Sequence, residues 1–355
     1  MHYSTPLKHL IGHVLALSRP LVAAVITMMI PYTIMACDAV TSTTALTPLT
    51  SATEWTSQSW GLLGIAHLTN TPFPDESRAY GYRSSKGAFS SKGHYDDNSV
   101  AFVIPDDFHP SEEIDFVVIF HGHTTNVRRF VKEAALGEAL ACSNRNTIII
   151  VPQGPKNVPD SGGGKLENSD MFAAFMHEAL ETLKKESMIP RSAHIRHIII
   201  SGFSGGFQLT GNVLDHGGME QEICEVWLVD AAYGLWDELS APFSAPGSTK
   251  ILRSIFTDHL SMENIQIMNN LSSTGKCFGV VTDDELSTVG MSTAAFNAIK
   301  YHANGASSGC DELPLLLKAQ PILFIHTHLP HDAFLLSNRF LADFLASSPN
   351  LSARP

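Results

Sequence analysis

His197-Ile198-Ile199-Ile200-Ser201-Gly202-Phe203-Ser204-Gly205-Gly206 is the stretch on which the chain is organised. Its first half is a short β-branched apolar run, suited to a strand buried on both faces. Its second half is a G-x-S-x-G pentapeptide, and the residues that follow, 206–214, have helix spacing up to the C-cap-like pair Gly217-Gly218. A serine at a sharp strand-to-helix turn has its hydroxyl held clear of the sheet, with the next backbone N–H groups facing an incoming carbonyl. Such a turn is crowded, so the residues two before and two after the serine must be nearly without side chains. Gly202 and Gly206 meet that demand. An ordinary Gly-rich loop has the same composition, so the flanking strand and helix patterns carry the distinction.

Working outward, strand patterns alternate with helix patterns. Upstream are apolar runs at 99–104, 115–120 and 147–151, a helix pattern over 126–140, and a second over 171–185 with Asp170 as its expected N-cap. Downstream are runs at 225–229, 251–256 and 321–325, with a closing helix over 332–346. This order predicts an α/β fold with a mostly parallel central sheet flanked by helices on both faces, its chemistry at the carboxyl ends of the strands.

Several reactive residue types fall at those ends. His121-Gly122-His123-Thr124 follows the 115–120 run, and an N–H of His123 or Thr124 could pair with that of Gly205 to form an oxyanion hole. The stretch 326–332 contains His326, His328 and His331; His331 has most room to swing over Ser204, His328 is second, and His326 is expected to be held in the strand. An acid is needed to hold the imidazole tautomer. Asp258 closes the strand before the last and is preferred, with Asp230 as the alternative and Asp283 or Asp284 next if residues 277–281 form the penultimate strand.

From about residue 99 to 347 this order of motifs resembles the α/β-hydrolase superfamily: a strand ending in His121-Gly122, the elbow at Ser204, aspartates at two later strand ends, and a histidine before the last helix. The resemblance implies a serine hydrolase of the esterase or lipase kind, forming a covalent acyl-enzyme and needing no cofactor. It departs in the doubled glycine after Ser204, in the polar His123 beside the oxyanion loop, and in the long connection from Asp258 to Gln320. Two other readings compete. The His121-x-His123 and His326-x-His328 spacings could ligate a metal in a metal-dependent hydrolase, and the fold could serve as a non-catalytic binding protein.

The 355-residue chain, 44% hydrophobic, can bury a substantial core, and a formal net charge of −12 argues against a nucleic-acid partner. The expected partner is a small-molecule, lipid or polymer ester. Residues 1–36 read as a signal peptide or N-terminal anchor, with Lys8 and Arg19 before an apolar run. Ile34-Met35-Ala36-Cys37 partly resembles a lipobox, so export is expected, with Cys37 as a possible lipid tether. Residues 37–76, rich in Thr, Ser and Pro, read as a linker on which Trp55, Trp60 and Leu62-Leu63 could still dock, and 77–355 as the hydrolase domain. Cys142, Cys224, Cys277 and Cys310 allow up to two disulfides of undetermined pairing. Around the expected pocket, residues 159–166 could form a border, and Tyr233, Trp236 and Phe243 an aromatic lid.

Overall fold

The computed structural model describes residues 53–282, 317–331 and 339–355. Of the sequence expectations, the leader, Cys37, Cys310, Asp283 and Asp284 lie outside these residues, as does the start of the closing helix.

The sheet begins earlier in the chain than expected. Strands β1 (Glu54–Gln58) and β2 (Gly61–His67) lie inside the stretch read as a linker, followed by the small hairpin β3 (Tyr82–Ser84) and β4 (Gly87–Phe89). The Thr/Ser content of the region hides an apolar alternation in which Ile65 and Ala66 are buried, one on each face of the sheet. Trp60, in the turn between β1 and β2, lies so close to Gly137 that a Cβ there would fall 2.1 Å from the indole. The stretch from residue 54 onward is therefore part of the folded body.

The remaining strands follow the expected order: β5 (Ser99–Pro105), β6 (Glu113–Phe120), β7 (Thr147–Pro152), β8 (His194–Phe203), β9 (Ile223–Val229), β10 (Ile251–Phe256), β11 (Gly279–Thr282) and β12 (Ile322–His326). They form a 10-stranded sheet in the order β1-β2-β5-β7-β6-β8-β9-β10-β12-β11. The pairings from β1 to β7 are antiparallel, and those from β7 through β6 to β11 are parallel. The elbow strand β8 sits in the parallel part between β6 and β9, where both faces are covered.

The helices are α1 (Val127–Glu133), α2 (Leu136–Cys142), α3 (Met171–Lys185), α4 (Phe207–His216), α5 (Trp236–Ser244), α6 (Ser261–Ser273) and α7 (Arg339–Ser347). Strand residues alternate between two apolar layers: Phe116, Val118, Ile198 and Ile200 pack with α3 to α6, while Val117, Ile119 and Ile199 pack with α1, α2 and α7. Each such buried side chain contributes about 1.5–3 kcal/mol relative to exposure. The expected long helix over 126–140 is divided by Ala135, which stands at φ 45. Asp170 does not act as a side-chain cap of α3; it stands at φ 62, and the amide of Ala173 in the first turn is taken by the carbonyl of Gly217.

Beneath the site, β9 and β10 are joined by a buried ion pair. Arg253 Nε lies 2.8 Å from Glu225 Oε1, both side chains fully buried. Glu225 also accepts from Trp227 Nε1 at 2.7 Å and Ser348 Oγ at 2.7 Å, and Arg253 donates to Ser347 Oγ at 2.6 Å and Phe344 O at 3.0 Å. Charges taken out of water need such additional partners to offset their desolvation. The network ties the strands that end at Asp230 and Thr257 to α7.

Cys142, Cys224 and Cys277 are free thiols, so no disulfide links them. Cys224 is far from reactive: burial pushes its thiol up to about 12. Among the described residues no helix is long and apolar enough to cross a membrane.

Candidate active site

Ser204 follows the last residue of β8 and stands at φ 51, a left-handed conformation rare for a residue with a side chain. The turn is held by close backbone packing. A Cβ on Gly202 would fall 2.5 Å from Thr210 Oγ1, and one on Gly206 would fall 2.3 Å from the carbonyl oxygen of Phe120. These are the two positions at which the pentapeptide demands glycine, and the neighbours that impose the demand are now identified.

Three side chains from three strand ends converge. Ser204 Oγ is 2.9 Å from His331 Nε2, and His331 Nδ1 is 2.6 Å from Asp230 Oδ2. The hydroxyl donates to Nε2 and the ring donates from Nδ1, the tautomer that a neutral imidazole between a serine and a carboxylate adopts. Asp230 follows β9 and is 1% exposed, so its charge must be met locally. Thr257 meets it, donating its N–H to Oδ1 at 2.9 Å and its hydroxyl at 3.1 Å.

Asp258, the acid preferred from the sequence, lies elsewhere: its Oδ1 is 2.7 Å from His326 Nε2 and 3.1 Å from His328 Nδ1. The reason is the direction in which the strand end turns. Thr257 faces Asp230 and the next residue faces β12, whose His326 pairs in register with Phe256. His328 is correspondingly bonded to Asp258, and His326 is strand-bound as expected.

A second file of polar groups reaches Asp230. His259 Nδ1 is 2.5 Å from Thr257 Oγ1, and its Nε2 is 2.9 Å from the Tyr233 hydroxyl. With Thr257 donating to Asp230, His259 must donate from Nδ1 and accept the phenol proton at Nε2. Burial and the Asp230 charge push Tyr233 up to about 12, so the phenol stays protonated and keeps that donor; it is also within hydrogen-bonding reach of Ser204. Of the three aromatics expected to form a lid, Tyr233 lines the cavity; Phe243 is buried in the core, and Trp236 bonds the carbonyl of Ala232.

On the other side of Ser204 runs the His121-Gly122-His123 turn. A Cβ on Gly122 would lie 2.9 Å from Ser204 Cβ, so the backbone of this turn touches the serine. Thr124 N–H donates to Val158 O at 2.9 Å, so of the two amides considered for an oxyanion hole that of Thr124 is engaged elsewhere. The His123 ring lies over Gly205, its Nε2 2.8 Å from Ser161 Oγ. Burial, with the charges of Lys86 and His331, holds this imidazole below its ordinary value despite Asp160 nearby.

His121 is not beside His123 in function. Its buried ring has Nδ1 2.8 Å from Gly122 O, while Nε2 accepts from Gly154 N at 2.9 Å and lies 3.0 Å from Gln153 Nε2. These contacts pin β6 to the loop after β7. The His121-x-His123 spacing therefore does not present two nitrogens to one ion; the groups able to do so among the described residues are Asp230, His259 and His331, and Asp258, His326 and His328.

The loop read as a border of the pocket is anchored. Asp160 accepts from Arg78 Nε at 2.7 Å and Nη2 at 3.0 Å, from Tyr95 at 2.8 Å and from Gly162 N at 3.0 Å. Burial alone would raise this carboxyl, but the bonds from Arg78, Gly162 and Tyr95 hold it below its ordinary value. Ser161 is thereby fixed against His123. Ser161, His123 and Ser204 line a cavity of about 710 Å³ whose wall includes Phe130, Phe203, Phe207 and Tyr233, with Lys86 and Arg129 also on it. Thr257, His259, Lys86 and Phe207 escape a reading of the sequence. Only His259 carries a local signal, standing directly after a strand-end aspartate.

No family model and no curated protein matches the chain. Among solved structures it is similar to a ferulic acid esterase (11% identity, TM-score 0.42, covering 72% of this chain and 94% of the other). A feruloyl esterase module from Clostridium thermocellum solved with sinapinate shows 10% identity and a TM-score of 0.41 over 83% and 95% of the two chains. FphF, a fluorophosphonate-binding serine hydrolase of Staphylococcus aureus, shows 11% identity and 0.40 over 72% and 93%. These likenesses are remote. The chain has a 10-stranded sheet, parallel from β7 to β11, with its polar residues at strand ends, and the side chains of the site carry the functional assignment.

Proposed function

We propose that the chain is a serine hydrolase of carboxylic esters, with Ser204 as nucleophile, His331 as general base and acid, and Asp230 as the residue that orients the imidazole. The observation that carries this reading is the unbroken chain from Ser204 Oγ through His331 to Asp230, at 2.9 and 2.6 Å, with the serine at φ 51 on the elbow. In the first half-reaction Ser204 Oγ attacks the ester carbonyl carbon while His331 Nε2 takes its proton. The imidazolium so formed is stabilised by Asp230. The amides of Gly205 and His123 hold the oxyanion. Collapse breaks the bond to the alcohol, which leaves with the proton from His331, and an acyl-Ser204 ester remains. Water then attacks that ester with the same base, releasing the acid and restoring Ser204. None of these steps needs a cofactor.

Small acyl or alcohol groups with an apolar face suit the aromatic wall of the cavity. Export, by way of residues 1–36 and with Cys37 as a lipid tether, is part of the proposal and is supported by the sequence pattern of that segment. The test is hydrolysis of a panel of nitrophenyl esters of graded acyl length by the full chain and by Ser204→Ala. Turnover that collapses by at least about a thousandfold in the variant supports the reading. Turnover that persists in the variant and disappears with a chelator would transfer the chemistry to a metal.

A further inference from the structure

The His326-x-His328 pair and Asp258 are left over by the proposed chemistry, and they come together. We infer that Asp258, His326 and His328 form a binding site for a borderline divalent cation of the zinc class, which staples the end of β10 to the end of β12. The three ligand atoms lie within 4.8 Å of one another. The two imidazole nitrogens approach the same carboxylate oxygen, His326 Nε2 at 2.7 Å and His328 Nδ1 at 3.1 Å, and the rings stand at 81° with centroids 4.5 Å apart. Nitrogen and oxygen ligands about 2.1 Å from a tetrahedral ion stand about 3.4 Å apart, so an ion enters this cluster once the groups draw back by about half an ångström.

The burial of the set and its chemistry both favour a cation. The His328 side chain is 7% exposed, so little bulk water competes for its Nδ1. The chemistry of the set also fits: two imidazoles and one carboxylate suit zinc and its neighbours and not calcium or magnesium, which take oxygen ligands. Asp258 is 27% exposed, so water can reach the cluster and complete the coordination.

The position gives the ion a task. Asp258 is joined directly to Thr257, which donates to Asp230, and His328 lies three residues before His331. A cation here would hold together the two segments that carry the acid's partner and the base. Its role is structural, and it takes no part in the ester chemistry.

The experiment uses full-length protein purified without a histidine tag, stripped with a chelator and titrated with zinc against a chromophoric indicator. One zinc per chain is expected, with a rise in unfolding temperature. Asp258→Asn and His328→Ala should each weaken binding by more than the roughly 10- to 100-fold that loss of an outer-shell partner costs. His259→Ala should leave zinc binding unchanged. Cobalt bound in place of zinc should show the visible absorption of a nitrogen-ligated site, and this band should vanish in His328→Ala. Absence of stoichiometric zinc binding by the parent chain overturns the inference. So does binding that survives both variants, or binding lost in His259→Ala, which would put the ion beside Asp230. Because the readouts are zinc content, cobalt spectrum and unfolding temperature, the result is separable from success or failure of the ester-hydrolase reading.

Discussion

His331 Nδ1 donates to Asp230 Oδ2 across 2.6 Å, onto a carboxylate that Thr257 holds from the opposite side through its amide at 2.9 Å and its hydroxyl at 3.1 Å. The aspartate proposed to orient the base thus closes β9, and the aspartate that closes β10 bonds the histidines of β12 and the loop after it. Asp230→Asn should lower kcat by about 10⁴, because the amide favours the wrong imidazole tautomer. Asp258→Asn should leave kcat within about tenfold of the parent, as Asp258 bonds His326 and His328 while the histidine on Ser204 is His331. Steady-state kinetics on both variants against one ester distinguishes them.

Thr257→Val keeps the amide but removes the hydroxyl that donates to Asp230 and accepts from His259. A hydrogen bond to a buried charge is worth about 1.5–3 kcal/mol. We expect a fall in kcat of about ten- to a hundredfold with KM little changed, since the group touches the acid and not the substrate. Thr257→Ser, which restores the hydroxyl, should recover most of the loss.

His121 sets a pH dependence of stability. Burial holds its imidazole below the ordinary 6.5, and Nε2 accepts from the Gly154 amide, so a proton there would face a donor. The unfolded chain takes up that proton as pH falls below 6.5 while the folded chain does not, until its depressed value is reached. The His121 contribution is therefore intact above 6.5 and is lost progressively below it. Unfolding temperatures measured at pH 7.5 and 5.5 should fall toward the lower pH, and the fall should be smaller in His121→Asn even if that variant is less stable at both.

The buried pair Glu225 and Arg253 should behave asymmetrically. Arg253→Met leaves Glu225 charged and fully buried, and such a loss of one partner costs about 3–5 kcal/mol. Replacing both with apolar residues should cost less than the sum of the single changes, read as a double-mutant cycle in urea.

Much of the site was legible because the parallel strands β6 to β10 carry mostly apolar runs that are buried toward their carboxyl ends, and the strand ends follow from where the runs stop. Ser204 could be read from the pentapeptide, since Gly202 and Gly206 answer to steric demands of the turn itself. The choice between Asp230 and Asp258 could not, because both close strands of the same composition and differ only in which way the last peptide turns. Thr257 was invisible for a related reason: a threonine after a strand carries no local mark of the carboxylate it will meet from a neighbouring strand. The early strands β1 and β2 were hidden by Thr and Ser, residues that occur in linkers and in sheets alike.

The central claim is that Ser204 is the nucleophile. The most direct measurement is exposure of the full chain to a fluorophosphonate, followed by digestion and mass spectrometry of the peptides. A single phosphonylated site is expected at Ser204, formed in a time-dependent way, absent in Ser204→Ala and strongly slowed in His331→Ala. A chain that forms no adduct, or one that carries its adduct on another residue with Ser204→Ala labelled as fully as the parent, would contradict it.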